Sequence, residues 1–240
     1  MKFENTDFWG FQHSFRGMRN PLNSWDKSDS FDCLSSDSCE GCKYEGSEVY
    51  DCLKTLGTFM IGDKDLELAQ RLIRGGPEHR KFLRQIMVSV DITAPLYWWK
   101  EFDTYKVGTT ANSTSTMHKL ATTPITMECF ETDDFVHDLT FWTSNDANYE
   151  IKDLAEDMIF YLEKLRQKYN ETGDKRYWKE LVRWLPNGWL QTRTVTLNYE
   201  NLRSMYFQRR NHKLTEWSVG FMQWIRSLPY AKELIMYEGE

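Results

Sequence analysis

The sequence predicts a helix-rich α+β domain around a small sheet, and three observations predict it. Apolar residues recur at helical spacing after Asp63 and again after Ile151. Two stretches, Ile86–Ile92 and Thr192–Leu197, alternate apolar with polar residues as half-buried strands do. No internal repeat or low-complexity tract interrupts them. At 240 residues the chain has the upper length of one domain, or it is a tight pair of subdomains. The expected organisation is an irregular N-terminal segment over residues 1–58, packed on a single α+β body over 59–240.

The elements follow in order. Residues 1–50 are polar, rich in Asn, Asp, Ser and Gly, and hold no period, so they are expected to wrap the body with a loop around Ser28–Gly46. From Asp63, Leu66, Ala69, Leu72 and Ile73 share one helical face until Gly75-Gly76 stops the run. In the first alternating strand Val88, Val90 and Ile92 take one side, Ser89 and Asp91 the other. Thr93-Ala94-Pro95 is expected to open a helix, Thr93 as N-cap and Pro95 in the first turn, carrying Trp98, Trp99 and Phe102. The longest amphipathic run spans Ile151–Tyr169, with Ile151, Leu154, Ala155, Met158, Leu162 and Leu165 on its apolar face and Gly173 at its end. A shorter helix through Trp178, Leu181 and Val182 closes at Pro186. After the strand Thr192–Leu197, two helices finish the chain, Glu200–Arg210 and Thr215–Leu228, the second burying Trp217, Phe221 and Ile225.

Composition narrows the function. Ten Trp, twelve Tyr and fourteen Phe supply an aromatic core or a pocket for flat ligands. A net charge of −6 argues against a nucleic-acid coat or an anionic membrane, yet a few local Arg and Lys suffice for one phosphate. No apolar run reaches the roughly 18 residues that cross a bilayer, and MKFENTDFWG lacks the layout of a signal peptide. The expected location is the cytoplasm. Four of the five Cys crowd together at Cys33, Cys39, Cys42 and Cys52. The Cys39-Glu-Gly-Cys42 gap fits a zinc half-site or a redox pair, but a second tight pair is missing, so zinc, a disulfide and ordinary loop thiols all stay open.

Familiar catalytic groupings are absent: no Gly-x-Ser-x-Gly, His-Glu-x-x-His, Walker loop or Gly-x-Gly-x-x-Gly occurs. The unusual stretch is Lys106–Lys119, in which Thr109, Thr110, Asn112, Ser113 and Ser115 offer short hydrogen-bonding groups and Lys106, His118 and Lys119 bracket them. It reads either as a polar loop with side-chain turns or as a phosphate or ribose cradle. Arg183, Arg193, Arg203, Arg209 and Arg210 are forks suited to phosphates and planar edges, or charges on a solvated face.

These stretches resemble the flavin-dependent thymidylate synthases. An alternating strand runs into Ala94-Pro95 and an aromatic helix, then Asn112-Ser-Thr-Ser115-Thr-Met117-His118 is similar to the family's Asn-Glu-x-Ser-x-Arg-Tyr. Arg183-Trp-Leu185-Pro186, then Thr192-Arg193 and Asn198, resembles its Arg-x-x-Leu-Pro, Thr-Arg and Asn spacing. The Glu200–Arg210 helix and Glu216-Trp217 match its closing run. The family's Arg-His-Arg stands here as Thr104-Tyr105-Lys106, its glutamate as Ser113 and the motif's closing Arg as Met117. The resemblance implies a thymidylate-synthase-complementing-like fold with a mainly antiparallel twisted sheet, and a homotetramer with sites shared between subunits. It implies FAD as cofactor, held by Lys106, Asn112 and Asn198. A pyrimidine deoxynucleotide such as dUMP would be held by Ser113, Ser115, His118, Arg183, Arg209 and Arg210. NADPH and methylene-tetrahydrofolate would be co-substrates. The flavin would carry the chemistry, so no catalytic side chain is expected. Two functions follow: one-carbon transfer to the base, or a protein that binds or sequesters a nucleotide and has lost flavin chemistry.

Overall fold

The computed structural model describes residues 1–33, 59–132, 140–142 and 148–239. In chain order the strands and α-helices are β1 (Lys2–Trp9), α1 (Phe11–Met18), β2 (Phe31–Asp32), β3 (Phe59–Met60), α2 (Asp63–Arg74), β4 (Met87–Pro95) and α3 (Leu96–Phe102). They continue as β5 (Thr110–Ser113), α4 (Thr116–Thr122), β6 (Thr140–Trp142), β7 (Asn148–Glu150), α5 (Ile151–Thr172), α6 (Lys175–Arg183), β8 (Leu190–Asn198), α7 (Tyr199–Arg209) and α8 (Met222–Ser227). The fold is helix-rich with a small antiparallel sheet, as the sequence indicates. Its main sheet runs β1-β4-β8-β5. Among the described residues no helix is long and apolar enough to cross a membrane.

The chain divides into two compact units, Met1–Thr6 with Val90–Val195, and Asp7–Ser89 with Thr196–Glu240. These limits differ from a boundary at residue 58. The described part of the N-terminal stretch is also not irregular: it forms β1 and α1. Phe11, Phe15 and Met18 are buried along one face of α1, a helical stripe that the surrounding polar residues conceal in the sequence.

In the first unit, Leu120, Ile125, Phe130, Leu162, Leu181 and Trp189 form one buried cluster. Trp98, Trp99 and Phe102 pack ring on ring at 4.8–5.3 Å between centroids. Strand β4 alternates as expected, with Val90 and Ile92 buried, but it continues through Thr93 to Pro95. Thr93 is therefore not the N-cap of α3. Its hydroxyl bonds that of Thr192 at 2.7 Å, and the first N–H groups of α3, on Leu96 and Tyr97, donate to the carbonyls of Trp189 and Asn187. Tertiary carbonyls replace the side-chain cap.

Helix α5 starts with a capping box between Glu150 and Asp153 and ends at Gly173, whose φ of +68° is the left-handed conformation of a C-cap glycine. Its expected apolar face is only partly buried. Leu162 is enclosed, whereas Leu154 and Met158 are exposed.

In the second unit Phe11 meets Tyr199, Phe15 meets Phe82 and Trp217 meets Phe221 at ring distances of 5.5, 6.0 and 5.1 Å. The helix expected over Thr215–Leu228 is two pieces, a π-type turn over Glu216–Phe221 and then α8. Trp217, Phe221 and Ile225 are all buried, as the spacing predicts. Asp65 is fully enclosed and bound by Arg19 Nε at 2.6 Å and by the hydroxyls of Ser28 and Ser30.

Candidate functional site

The Lys106–Lys119 stretch lies in the first unit. Lys106 is exposed, and Gly108 turns the chain at φ +72°. Strand β5 then holds Asn112 and Ser113 with their side chains exposed. Thr114 donates its N–H to the carbonyl of Thr192 at 2.9 Å, tying the stretch to β8. Ser115 caps α4: its hydroxyl accepts from the N–H of His118 at 3.3 Å. His118 is exposed, and so is Met117. Lys106, Asn112, Ser113, Ser115 and His118 therefore share one exposed segment, with the buried Leu120 anchoring its end.

The intervening residues Thr114, Thr116 and Lys119 line a cavity of about 420 Å³ together with Thr93 and Thr192. Phe130 and Trp189, edge to face at 5.5 Å, form its apolar wall. Glu131, also in the lining, accepts from the Met1 amino group at 3.2 Å. Gln191 braces the segment from below, donating to the Thr114 carbonyl at 2.9 Å and to the Thr116 hydroxyl at 3.2 Å. Sequence reasoning gave Thr93 a helix-capping role, and Thr192 a place in a strand and in the Thr-Arg pair of the resemblance. Their position on the polar face of two alternating strands was the available signal.

The arginines separate by role. Arg193 is committed, bonded to Asp103 at 2.6 Å and to Gln191 at 2.9 Å and lying 4.2 Å over the Trp99 ring. Arg183 ends α6 half exposed and pairs with Glu180 at 2.7 Å. In the second unit, the buried Arg203 donates to the carbonyls of Ile235 and Tyr237 at 2.9 and 2.6 Å. Arg209 lies 4.9 Å over Trp217. Arg210 pairs with Glu238, which raises its already high pKa, and lies 4.9 Å from the Phe207 ring. Asn198 is buried at the end of β8, where its side-chain oxygen accepts from the Asn201 N–H at 3.0 Å as the cap of α7.

The arrangement offers hydroxyl and amide donors, two Lys ammonium groups and an aromatic wall, which suit a sugar, a phosphate and a ring edge. Among the described residues no group of His, Cys, Asp and Glu is placed to hold a metal. Cys33 is a free thiol, and Cys39, Cys42 and Cys52 lie outside the described residues, so the zinc candidate rests on sequence alone.

Neither a family model nor a curated relative matches the sequence. Solved structures do match. The flavin-dependent thymidylate synthase ThyX of Helicobacter pylori, complexed with FAD and dUMP, superposes with a TM-score of 0.62 over 98% of both chains at 16% identity. A second structure of ThyX from that organism with FAD and dUMP gives 0.60 over 95% of this chain and 94% of that one, again at 16% identity. At this identity the likeness establishes the fold.

Proposed function

We propose that this chain is a flavin-dependent thymidylate synthase-like protein that binds FAD and a dUMP-like pyrimidine deoxynucleotide and transfers a one-carbon group to the base. The observation that carries the reading is a backbone shared along almost the whole of both chains with a protein crystallised with FAD and dUMP. The order of Asn112, Ser115, Arg183 and Asn198 along the sequence supports it independently.

The donor set fits the ligands. Lys106 and Asn112 would offer an exposed ammonium and amide to a cofactor pyrophosphate. Ser113, Ser115 and His118 would address the nucleotide, with Arg183 for its phosphate or base edge. Ser115 already holds the first turn of α4, so it sets the direction of His118 as well as offering a hydroxyl. Bound flavin would supply the redox chemistry, which is why no nucleophile or general base is needed from the chain. NADPH and methylene-tetrahydrofolate would be the co-substrates, and several copies of the chain would share each site.

A second reading, a nucleotide-binding protein without flavin chemistry, is favoured by two observations. Met117 stands exposed where the family has Arg, and Arg183 already has a carboxylate partner. Flavin absorbance of the purified protein and calorimetric titration with FAD and with dUMP separate the readings. Yellow protein, or FAD and dUMP binding in the micromolar range, supports the first. Binding of dUMP by a colourless protein that ignores FAD transfers the conclusion to the second, and binding of neither removes both.

A further inference from the structure

The stretch from Asn112 to Thr123 has two sides, and the residues proposed for FAD and dUMP occupy only one. Asn112, Ser113, Ser115 and His118 stand exposed, and none of them lines the cavity of about 420 Å³. That cavity lies wholly within the first unit. It takes Thr116, Lys119 and Thr123, which recur at intervals of three and four and so share one face of α4 and its C-cap. Its volume falls within the range of roughly 300–1,000 Å³ typical of ligand pockets.

The hydrogen bonds already made say what the cavity still has to offer. Gln191 donates its amide to the Thr116 hydroxyl at 3.2 Å, which leaves that hydroxyl's proton for an acceptor. Thr93 and Thr192 share one hydrogen bond at 2.7 Å, so one of their two protons is left over as well. Lys2 and Lys119 bring donors only, and neither pairs with a carboxylate among the described residues. Of the two carboxylates in the lining, Glu131 is committed, to the Met1 amino group at 3.2 Å and the Thr132 N–H at 3.1 Å. Only the exposed Glu128 opposes the two ammonium groups. The surplus is of donors and positive charge, which calls for an anion rich in acceptors. A bare phosphate would leave most of the volume and the buried Phe130 and Trp189 wall unused, whereas a sugar has a C–H face to lay against them. We propose that this cavity is a second ligand site, separate from the residues assigned to FAD and dUMP, and that it takes a small sugar phosphate. The phosphate meets Lys119, Lys2 and the Thr116 hydroxyl, and the sugar packs on the aromatic wall. The site does not depend on the flavin reading, so either can fail alone.

Calorimetric titration of the full chain with ribose 5-phosphate, alone and with dUMP and FAD present, tests it. The wild-type chain binds ribose 5-phosphate, and binds ribose or inorganic phosphate more weakly. Lys119→Ala weakens the binding roughly tenfold or more, the loss of a charged hydrogen bond. Glu128→Gln removes the opposing charge and tightens it. Both side chains are exposed, and unchanged melting of the ligand-free variants shows that the fold is intact. Neither dUMP nor FAD displaces ribose 5-phosphate. No binding, binding that Lys119→Ala leaves unchanged, or inorganic phosphate bound as tightly as the sugar phosphate overturns the proposal. Displacement by dUMP overturns it too, since the cavity would then be the nucleotide's own site.

Discussion

Asp65 and Glu163 show what single buried or half-buried carboxylates do in this chain. Asp65 is fully enclosed and neutralised by Arg19, itself only 6% exposed. Removing one member of such a pair leaves an uncompensated charge, so Asp65→Ala is expected to cost about 3–5 kcal/mol, read from the midpoint of urea denaturation. Glu163 accepts from Arg166, from the backbone N–H of Ile125 at 2.9 Å and from Gln167. The Arg166 bonds come first among the causes that hold its carboxyl below the ordinary glutamate value of 4.5. A depressed folded-state pKa contributes stability that is present above the unfolded value and lost as pH falls through the folded one. The wild-type chain should therefore lose stability more steeply than Glu163→Gln as pH drops below about 4.5, in denaturation curves taken across that range. Asp65 was not legible as a structural residue in the sequence, whereas Glu163 pairs locally with Arg166 three positions on. Arg19 and Asp65 are 46 positions apart, and nothing local marks a partner chosen by tertiary packing.

At the scale of elements, periodicity predicted existence better than orientation. The alternation at Val88, Val90 and Ile92 gave β4, and the run from Ile151 gave α5, because both patterns follow from backbone geometry alone. Where β4 ends was not legible, since the hydroxyl of Thr93 is used across the sheet and distant carbonyls start α3 instead. Which side of α5 faces its own core was equally hidden, because adjacent apolar stripes on one helix look alike until a neighbour covers one of them. The ends of helices are more local and allow direct tests. In α7, Asn198 and Asn201 cap each other reciprocally, so Asn198→Ala is expected to lower thermal stability by about 1 kcal/mol. Gly173 closes α5 with a positive φ. There Gly173→Ala should cost about 1–2 kcal/mol, the penalty of a side chain in the left-handed region, measured by calorimetric melting.

For the whole molecule, the fold is recoverable although only 16% of residues coincide with the matching structures, because the order of strands and helices depends on pattern more than on identity. The candidate site was legible as a polar segment bracketed by Lys106, His118 and Lys119. Its cavity was not, since Thr93 and Thr192, which line it together, stand 99 positions apart in the sequence. A ligand that binds only the folded chain adds about 2.7 kcal/mol at a hundredfold excess over its Kd. For a chain of this length each kcal/mol moves Tm by roughly 2–4 °C, so saturating FAD should raise the melting temperature by roughly 5–11 °C. With the net charge at −6, a polyanion held by general attraction is disfavoured, and the shift should depend on the local donors. Lys106→Ala and Asn112→Ala, both exposed and outside the core, should leave the ligand-free Tm nearly unchanged while reducing the FAD-induced rise. A rise that persists undiminished in both variants would place FAD elsewhere on the chain, and no rise in the parent protein would remove FAD from the proposed function.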